Sequence, residues 1–396
     1  MKIAIMSDFH FGYNDDALVQ AAEALRRARE SADFVIAAGD LFDSRVPRPE
    51  IIHDAITILK DHERKTGSGG VEISELGGGG KKTLANSPLI AIYGTHERRT
   101  KGLVNAVQVL DSAGLVVNVH AKTALVEKNG EIVAVQGMGG VPEEHAAENL
   151  RLLDPRPVPG AFNIFVFHQS MKEIASVGEG MAATDLPGGF DLYVDGHIHW
   201  AQELKLEGKR VLLPGSTVVT QMKRTETEPK GFYLFDTATG AASFVKISSR
   251  PFFFSEIVLE NASPSKVVEE ARKKLSELAI QAGGRTPLVK LKLLGTLEKG
   301  IRPQDVDLAP LEREFGEKMA LGIDKEFASE ELAEKIGLLR KLREEKKSVR
   351  EMGLSVLERK LFEAGVRLPS EELFELLADA KGGEKDEKIR RALEIV

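Results

Sequence analysis

Through the first 250 or so positions, short apolar runs alternate with stretches whose apolar residues recur every three or four positions. The runs KIAIM (2–6), FVIAA (34–38), LIAIY (89–93), FNIFVF (162–167) and DLYVD (191–195) are largely apolar and too short for helices. They predict buried strands. The text at 15–30 and PEIIHDAITILKDHERK (49–65) carry the helical period. Strand and helix in turn imply a layered α/β domain. The segment KTGSGGVEISELGGGGKK (65–82) holds seven glycines and reads as a surface insertion. It lacks the GxxxxGK[ST] spacing of a phosphate-binding loop.

Residues 201–247 change texture. AQELKLEG and KRVLLP look like an antiparallel pair, as do GFYLFD and ASFVKI around a turn at Asp236 to Gly240. After Arg250-Pro251, FFFSEIVLE (252–260) predicts a strand, Ser263-Pro264 an N-cap and first helical residue for a helix to about Gln281, and LVKLKLLG (288–295) a further strand. From about Glu326 the chain is charged and reads as helical, with a capping box at Ser355 to Glu358, a C-cap at Gly365 and a new start at Pro369-Ser370. Three segments follow: 1–250, a small α+β unit at 251–325, and a helical tail at 326–396. The tail leucines (Leu354, Leu357, Leu361, Leu373, Leu377) with Phe362 and Phe374 either fold back as core or offer an apolar face to a partner helix.

Composition narrows the class. At 396 residues and 42% apolar content the chain can fill more than one core. A net charge of −7 does not advertise a nucleic-acid binder, although local field and net charge are separate quantities. There is no cysteine, so disulfides and thiol catalysis are excluded. The N-terminus enters a strand at once, without a signal-peptide pattern, and no apolar run approaches the ~20 residues that span a bilayer. A soluble, cytoplasmic protein with no membrane association is expected.

The candidate chemistry sits just after the predicted strands, as Asp8-Phe9-His10, Gly39-Asp40, Gly94-Thr95-His96-Glu97, His168 and Gly196-His197-Ile198-His199. Five of the nine histidines, His10, His96, His168, His197 and His199, fall in these clusters. Side chains at the carboxyl ends of successive strands are expected to converge on one crevice of a sheet. Imidazole and carboxylate without thiolate suit a hydrolytic metal such as manganese, iron or zinc. Asp8 and His10, two apart on extended backbone, can reach one ion, as can His197 and His199. Asp40, behind Gly39, suits a bridge between two ions. Glu97, Arg98 and Arg99 either touch phosphate or lie in a solvated loop. His53, His62, His120 and His145 lie outside every cluster and are expected to be structural.

The ordered set DxH, GD, G(N)H(E/D), H, GHxH resembles the calcineurin-like metallophosphoesterases. SDFHFG (7–12), GDLFD (39–43), GHIH (196–199), PGSTVVT (214–220) and KGFYLFD (230–236) look like the branch of double-strand-break repair nucleases of the Mre-eleven/SbcD type. The resemblance implies a metallophosphoesterase β-sandwich flanked by helices, a small capping domain and a helical partner-binding tail. It also implies two divalent metal ions, most readily Mn²⁺, and exonuclease or endonuclease action on DNA ends. Its expected partners are a Rad-fifty/SbcC-like ABC-type ATPase on the C-terminal helices and a second copy of the chain in a homodimer. Carried over by motif, one metal takes Asp8, His10 and His199, the other His168, His197 and the Thr95 position, and Asp40 bridges. His96 is then the catalytic residue that stabilises the transition state or protonates the leaving oxygen.

Two positions depart from the family pattern. Thr95 replaces an Asn whose amide oxygen is a ligand, and a hydroxyl is shorter and a poorer donor to metal. Asp43 replaces a His linked to proton transfer, and its carboxylate either fixes a histidine lying behind the ligands instead or costs activity. Two alternatives stay open: a small-molecule phosphodiesterase or phosphatase, and a non-catalytic metal-binding scaffold.

Overall fold

The computed structural model describes residues 1–63, 71–76, 81–82, 88–100, 102–174 and 180–328, with isolated positions between 354 and 374. Its centre is two stacked sheets. The first has six strands in the order β14-β13-β1-β2-β5-β6. Here β1 (Lys2–Met6), β2 (Phe34–Ala38), β5 (Leu89–Ile92) and β6 (Val117–Asn118) run parallel, and β13 (Gly231–Asp236) and β14 (Ala242–Lys246) close one edge antiparallel.

The second sheet has eight strands in the order β11-β12-β10-β9-β8-β7-β3-β4. Its parallel middle is β8 (Glu131–Met138), β9 (Phe162–Phe167), β10 (Leu192–Asp195) and β12 (Lys209–Leu213). Antiparallel strands flank it: β11 (Gln202–Leu206) on one side, and β7 (Thr123–Lys128), β3 (Glu72–Glu75) and β4 (Lys81–Lys82) on the other.

Alternation along each strand builds the layers. Ile3 and Ile5 of β1, Phe34, Ile36 and Ala38 of β2, and Ile90 and Ile92 of β5 join Val133, Val135, Ile164, Val166, Leu192 and Val194 in one core between the sheets. The opposite faces, Ala4, Met6, Val35 and Ala37, join Ala21, Ala24, Leu25 and Ala28 of helix α1 (Asp15–Ser31) and Ala55 and Leu59 of α2 (Pro49–Glu63). Helix α3 (Ala106–Ser112) adds Val107 and Leu110. Behind the second sheet, Phe165, Phe167 and Tyr193 pack with Ala146 and Leu150 of α4 (Ala146–Leu153). Because both faces of each sheet are covered, the central strands are mostly apolar, with Gln136, Asn163 and Asp195 as buried polar exceptions.

The insertion at 65–82 is not wholly peripheral. Val71 and Ile73 are buried in the inter-sheet core and β3 pairs with β7, so this part of the expected surface insertion is corrected. Residues 64–70 and 77–80 lie outside the described residues.

The chain divides into two compact units. The larger comprises Met1–Ser255, Leu275–Leu291 and Arg313–Gly322 and contains both large sheets. The second is drawn from Glu256–Lys274, Lys292–Glu312 and the described residues from Ile323 onward. A three-stranded sheet has the order β15 (Phe252–Ala262), β16 (Leu288–Leu297), β17 (Ala320–Ala328). Helix α5 (Pro264–Gln281) starts where Ser263 Oγ accepts the Lys266 N–H, and its buried residues Val267, Ala271, Leu275 and Leu278 keep the helical period. A short helix α6 (Ala309–Phe315) and β17 were not anticipated. Residues 326–328, expected to open a helical tail, instead finish β17. Nearly all of the remaining tail, including the Ser355 capping box, lies outside the described residues.

Candidate metal centre

The ligand-bearing turns converge where the two sheets face each other at the carboxyl ends of their parallel strands. The first sheet supplies Asp8 and His10 after β1, Asp40 after β2, and Thr95 and His96 after β5. The second supplies His168 after β9 and His197 and His199 after β10. The crevice therefore lies between two sheets, which corrects the expectation of convergence within one. A sandwich needs this arrangement, because one flat sheet edge could not surround an ion from both sides.

The backbone is strained at this point. Asp8 (φ 53°), His10 (φ 49°), Asp40 (φ 48°) and His197 (φ 70°) are all left-handed without being glycine. Backbone hydrogen bonds from Asp8 N to Gly39 O and from His10 N to Asp40 O, each 3.0 Å, lace the first two turns together. Two glycines permit the close approach. A Cβ on Gly94 would lie 2.1 Å from Asp40 Oδ1, and one on Gly196 would lie 2.0 Å from the Ala38 carbonyl.

Three ligand groups result, each with its donor atoms within 4.8 Å of one another: Asp8, His10 and His199; Asp40, His168 and His197; and His10, Asp40 and His96. His10 Nε2 and His199 Nε2 stand 3.6 and 3.5 Å from Asp8 Oδ1, and His168 Nε2 stands 3.2 Å from Asp40 Oδ2. Both Asp8 oxygens, His10 Nε2 and His168 Nε2 are buried without a hydrogen-bond partner. Buried polar atoms are costly unless satisfied, and here the orphaned atoms are those that would face a cation. The residues present thus fit a divalent metal pair.

The electrostatics agree. Burial opposes ionisation of Asp8, yet the adjacent His10 and His199 and the field of His168 hold its carboxyl well below the usual range. Asp40 is lowered against its own burial by His168. Despite burial, Asp43 and Asp8 raise His10 to about 10, and Asp40 raises His168 to about 10. His197 is pushed down to about 4 by burial and by His168, which leaves it a neutral imidazole. The centre favours positive charge from whatever source.

Thr95 Oγ1 donates to Asp40 Oδ2 at 3.3 Å, so this hydroxyl reaches the central carboxylate. Asp43 Oδ1 lies 3.0 Å from His10 Nδ1 and 3.4 Å from His96 Nδ1, between the two rings. His96 is the open member, with 44% of its side chain exposed, Nδ1 3.1 Å from the Asp43 carbonyl and its backbone N–H on Asp40 Oδ1 at 2.8 Å. Glu97 is neither a phosphate contact nor part of a solvated loop. It is fully buried and accepts the N–H groups of Gly94 (2.8 Å) and Phe42 (2.9 Å), tying the β5 turn to the β2 turn. Burial and Asp40 push its carboxyl up to about 8. His62 and His120 are structural: Nδ1 of His62 meets the Leu25 carbonyl, and His120 lies between Tyr93 and Gly139.

Sequence reasoning missed Thr220, Glu226 and Lys230, which meet behind His199. Two of them stand inside the quoted segments PGSTVVT and KGFYLFD, but nothing in spacing alone links them to a histidine at 199.

The family model for calcineurin-like phosphoesterases matches residues 1–201, more than half of the chain. The DNA double-strand break repair protein Mre11 of Methanopyrus kandleri is 26% identical over 342 residues, covering 79% of this chain and 68% of that protein. The double-strand break repair protein MRE11 of Homo sapiens is 24% identical over 304 residues, covering 66% of this chain and 43% of the human protein. For the Mre11 of Archaeoglobus fulgidus the identity is 26%, over 54% of this chain and 50% of that protein. The chain thus spans about half the length, or less, of two of these three relatives. With its ligand turns, its sandwich and more than half its length matched, the chain belongs to the calcineurin-like phosphoesterase family.

Proposed function

We propose that this chain is a metal-dependent phosphodiesterase acting on DNA, a nuclease of the Mre11 type that processes ends at double-strand breaks. The observation that carries the proposal is the pair of ligand groups around Asp40, in which both Asp8 oxygens, His10 Nε2 and His168 Nε2 are buried without a partner among the described residues. The similarity to Mre11 proteins supports DNA as substrate, since it extends beyond the matched family domain in the Methanopyrus case.

In this proposal Asp8, His10 and His199 hold one divalent ion, His168, His197 and Thr95 hold the other, and Asp40 serves both. Mn²⁺ suits this mixed imidazole and oxygen set. When bound, such a pair supplies Lewis-acid stabilisation of phosphate and a nucleophile at neutral pH. The protein's own contributions are positional. Asp43 fixes the His10 ring through Nδ1, which leaves Nε2 directed at Asp8. His96, anchored through Nδ1 and its backbone N–H, stands at the exposed rim, where it can meet a phosphate oxygen and hand a proton to the leaving one. Further proposals are exonuclease and endonuclease modes, a homodimer, and docking of a Rad-fifty/SbcC-like ABC-type ATPase on the C-terminal tail.

The test is Mn²⁺-dependent release of nucleotides from linear duplex DNA, beside a chromogenic phosphodiester. Cleavage of DNA, removed by chelation, is expected. Turnover of the small diester alone would leave the phosphodiesterase and overturn the nuclease.

A further inference from the structure

Behind His199 lies a buried ion pair that the hydrolytic chemistry does not directly use. Glu226 and Lys230 are each 3% exposed, and Glu226 Oε2 meets Lys230 Nζ at 2.9 Å. A buried pair costs desolvation and persists where further hydrogen bonds satisfy it. Here they do. Lys230 Nζ also donates to Ser216 Oγ (2.8 Å) and to the His199 carbonyl (2.9 Å), which uses all three ammonium hydrogens. Glu226 Oε1 accepts Gln221 N at 2.7 Å, and Thr220 N donates to Oε2 at 3.2 Å.

Both ends of the pair terminate on one residue. Lys230 holds the backbone of His199 through its carbonyl. Glu226 holds the ring: Thr220 Oγ1 lies 2.6 Å from His199 Nδ1, and Glu226 Oε1 lies 3.3 Å from that hydroxyl and 3.4 Å from Nδ1 itself. With Nδ1 occupied, Nε2 is the nitrogen presented to Asp8 Oδ1 at 3.5 Å. The same loop reaches the other partner, since Thr217 N donates to the Asp8 carbonyl at 3.3 Å.

We propose that Glu226, Lys230 and Thr220 form a buried latch that positions His199 as a metal ligand, acting on the ion held by Asp8, His10 and His199 and not on the ion held by His168 and His197. This rests on the two-metal function proposed above. The residues are positioning groups: none belongs to the three ligand groups. A carboxylate behind an imidazole orients the ring and raises its basicity, and losing such a partner typically weakens metal binding by about 10–100-fold.

The test is calorimetric titration of the full chain with Mn²⁺, together with its unfolding midpoint in chelator. Wild type is expected to bind two ions. In Glu226→Gln an amide nitrogen in place of Oε2 accepts from neither Lys230 Nζ nor Thr220 N, and one of the two binding steps should weaken about 10–100-fold while the other keeps its affinity. Thr220→Val removes only the hydroxyl at Nδ1. It should weaken the same single step at an unchanged unfolding midpoint, and Thr220→Ser should restore it. Loosening of the fold would weaken both steps together, and that result would overturn the latch. So would wild-type affinity in Thr220→Val, even if Glu226→Gln fails to fold. If wild type itself binds no Mn²⁺, the two-metal function falls and the latch with it. If wild type binds two ions and the variants bind alike, the latch alone falls.

Discussion

The centre is held by residues of three kinds: those facing the metal positions, those holding them from behind, and one open to solvent. His96 is the open one. Its loss should leave Asp8, Asp40 and the five other ligand side chains in place, so His96→Ala is expected to cut turnover on DNA by ~10²–10⁴ with Mn²⁺ binding unchanged. A matching fall in metal stoichiometry would make it a ligand, as its place in the third ligand group allows. The raised histidines add a pH dependence. His10 and His168 titrate near 10 in the metal-free protein against an ordinary 6.5. A raised pKa stabilises the fold fully below the unfolded value, and that stability is lost as pH climbs through the folded value. Metal-free protein should therefore lose unfolding stability between about pH 6.5 and 10, and Mn²⁺ should bind more tightly across the same interval because the protons it displaces compete less as their concentration falls. Thermal unfolding in chelator and Mn²⁺ titrations over that range check both. A flat pair of profiles would mean that neither ring is protonated in the free protein.

Among the elements, the strands that deliver ligands were legible because burial on both faces makes them continuous apolar runs, as in FVIAA and FNIFVF. The proposed ligands were legible because each follows such a run, Asp40, Thr95 and His197 beside a glycine and His168 by the run alone. What escaped has a physical reason in each case. Strand β3 carries Glu72, Ser74 and Glu75 between glycine-rich flanks, and only Ile73 and neighbouring Val71 betray its buried face. Strand β17 carries Asp324, Lys325 and Glu326 at the edge of its sheet and buries only Phe327. Glu226 and Lys230 come from a single turn and the residue before β13, and only the fold brings them to His199. The burial of β3 can be tested separately: Ile73→Ala should cost about 2–5 kcal/mol of stability, the usual range for a buried isoleucine. A cost below about 0.5 kcal/mol would return this segment to the surface.

For the whole molecule, a net charge of −7 has to be reconciled with the polyanionic substrate proposed for it. Concentrated positive charge at the metal centre can attract phosphate locally, since a cleft focuses field independently of the total. Among the described residues no helix is long and apolar enough to cross a membrane. In the proposed assembly the tail from residue 329 is the segment that docks the partner, and short amphipathic helices of the kind its sequence suggests gain most of their stability from a surface that buries them. A chain ending at residue 328 is expected to keep Mn²⁺ binding and basal DNA cleavage while losing capture of the coiled-coil ATPase. Unfolding of the catalytic unit in that truncation would show that the tail leucines are its own core.

Anomalous diffraction from crystals of the full chain grown with Mn²⁺ tests the two-metal centre most directly. Two peaks are expected on either side of Asp40, one against Asp8, His10 and His199 and the other against His168 and His197. A single peak, or peaks away from Asp40, would contradict it.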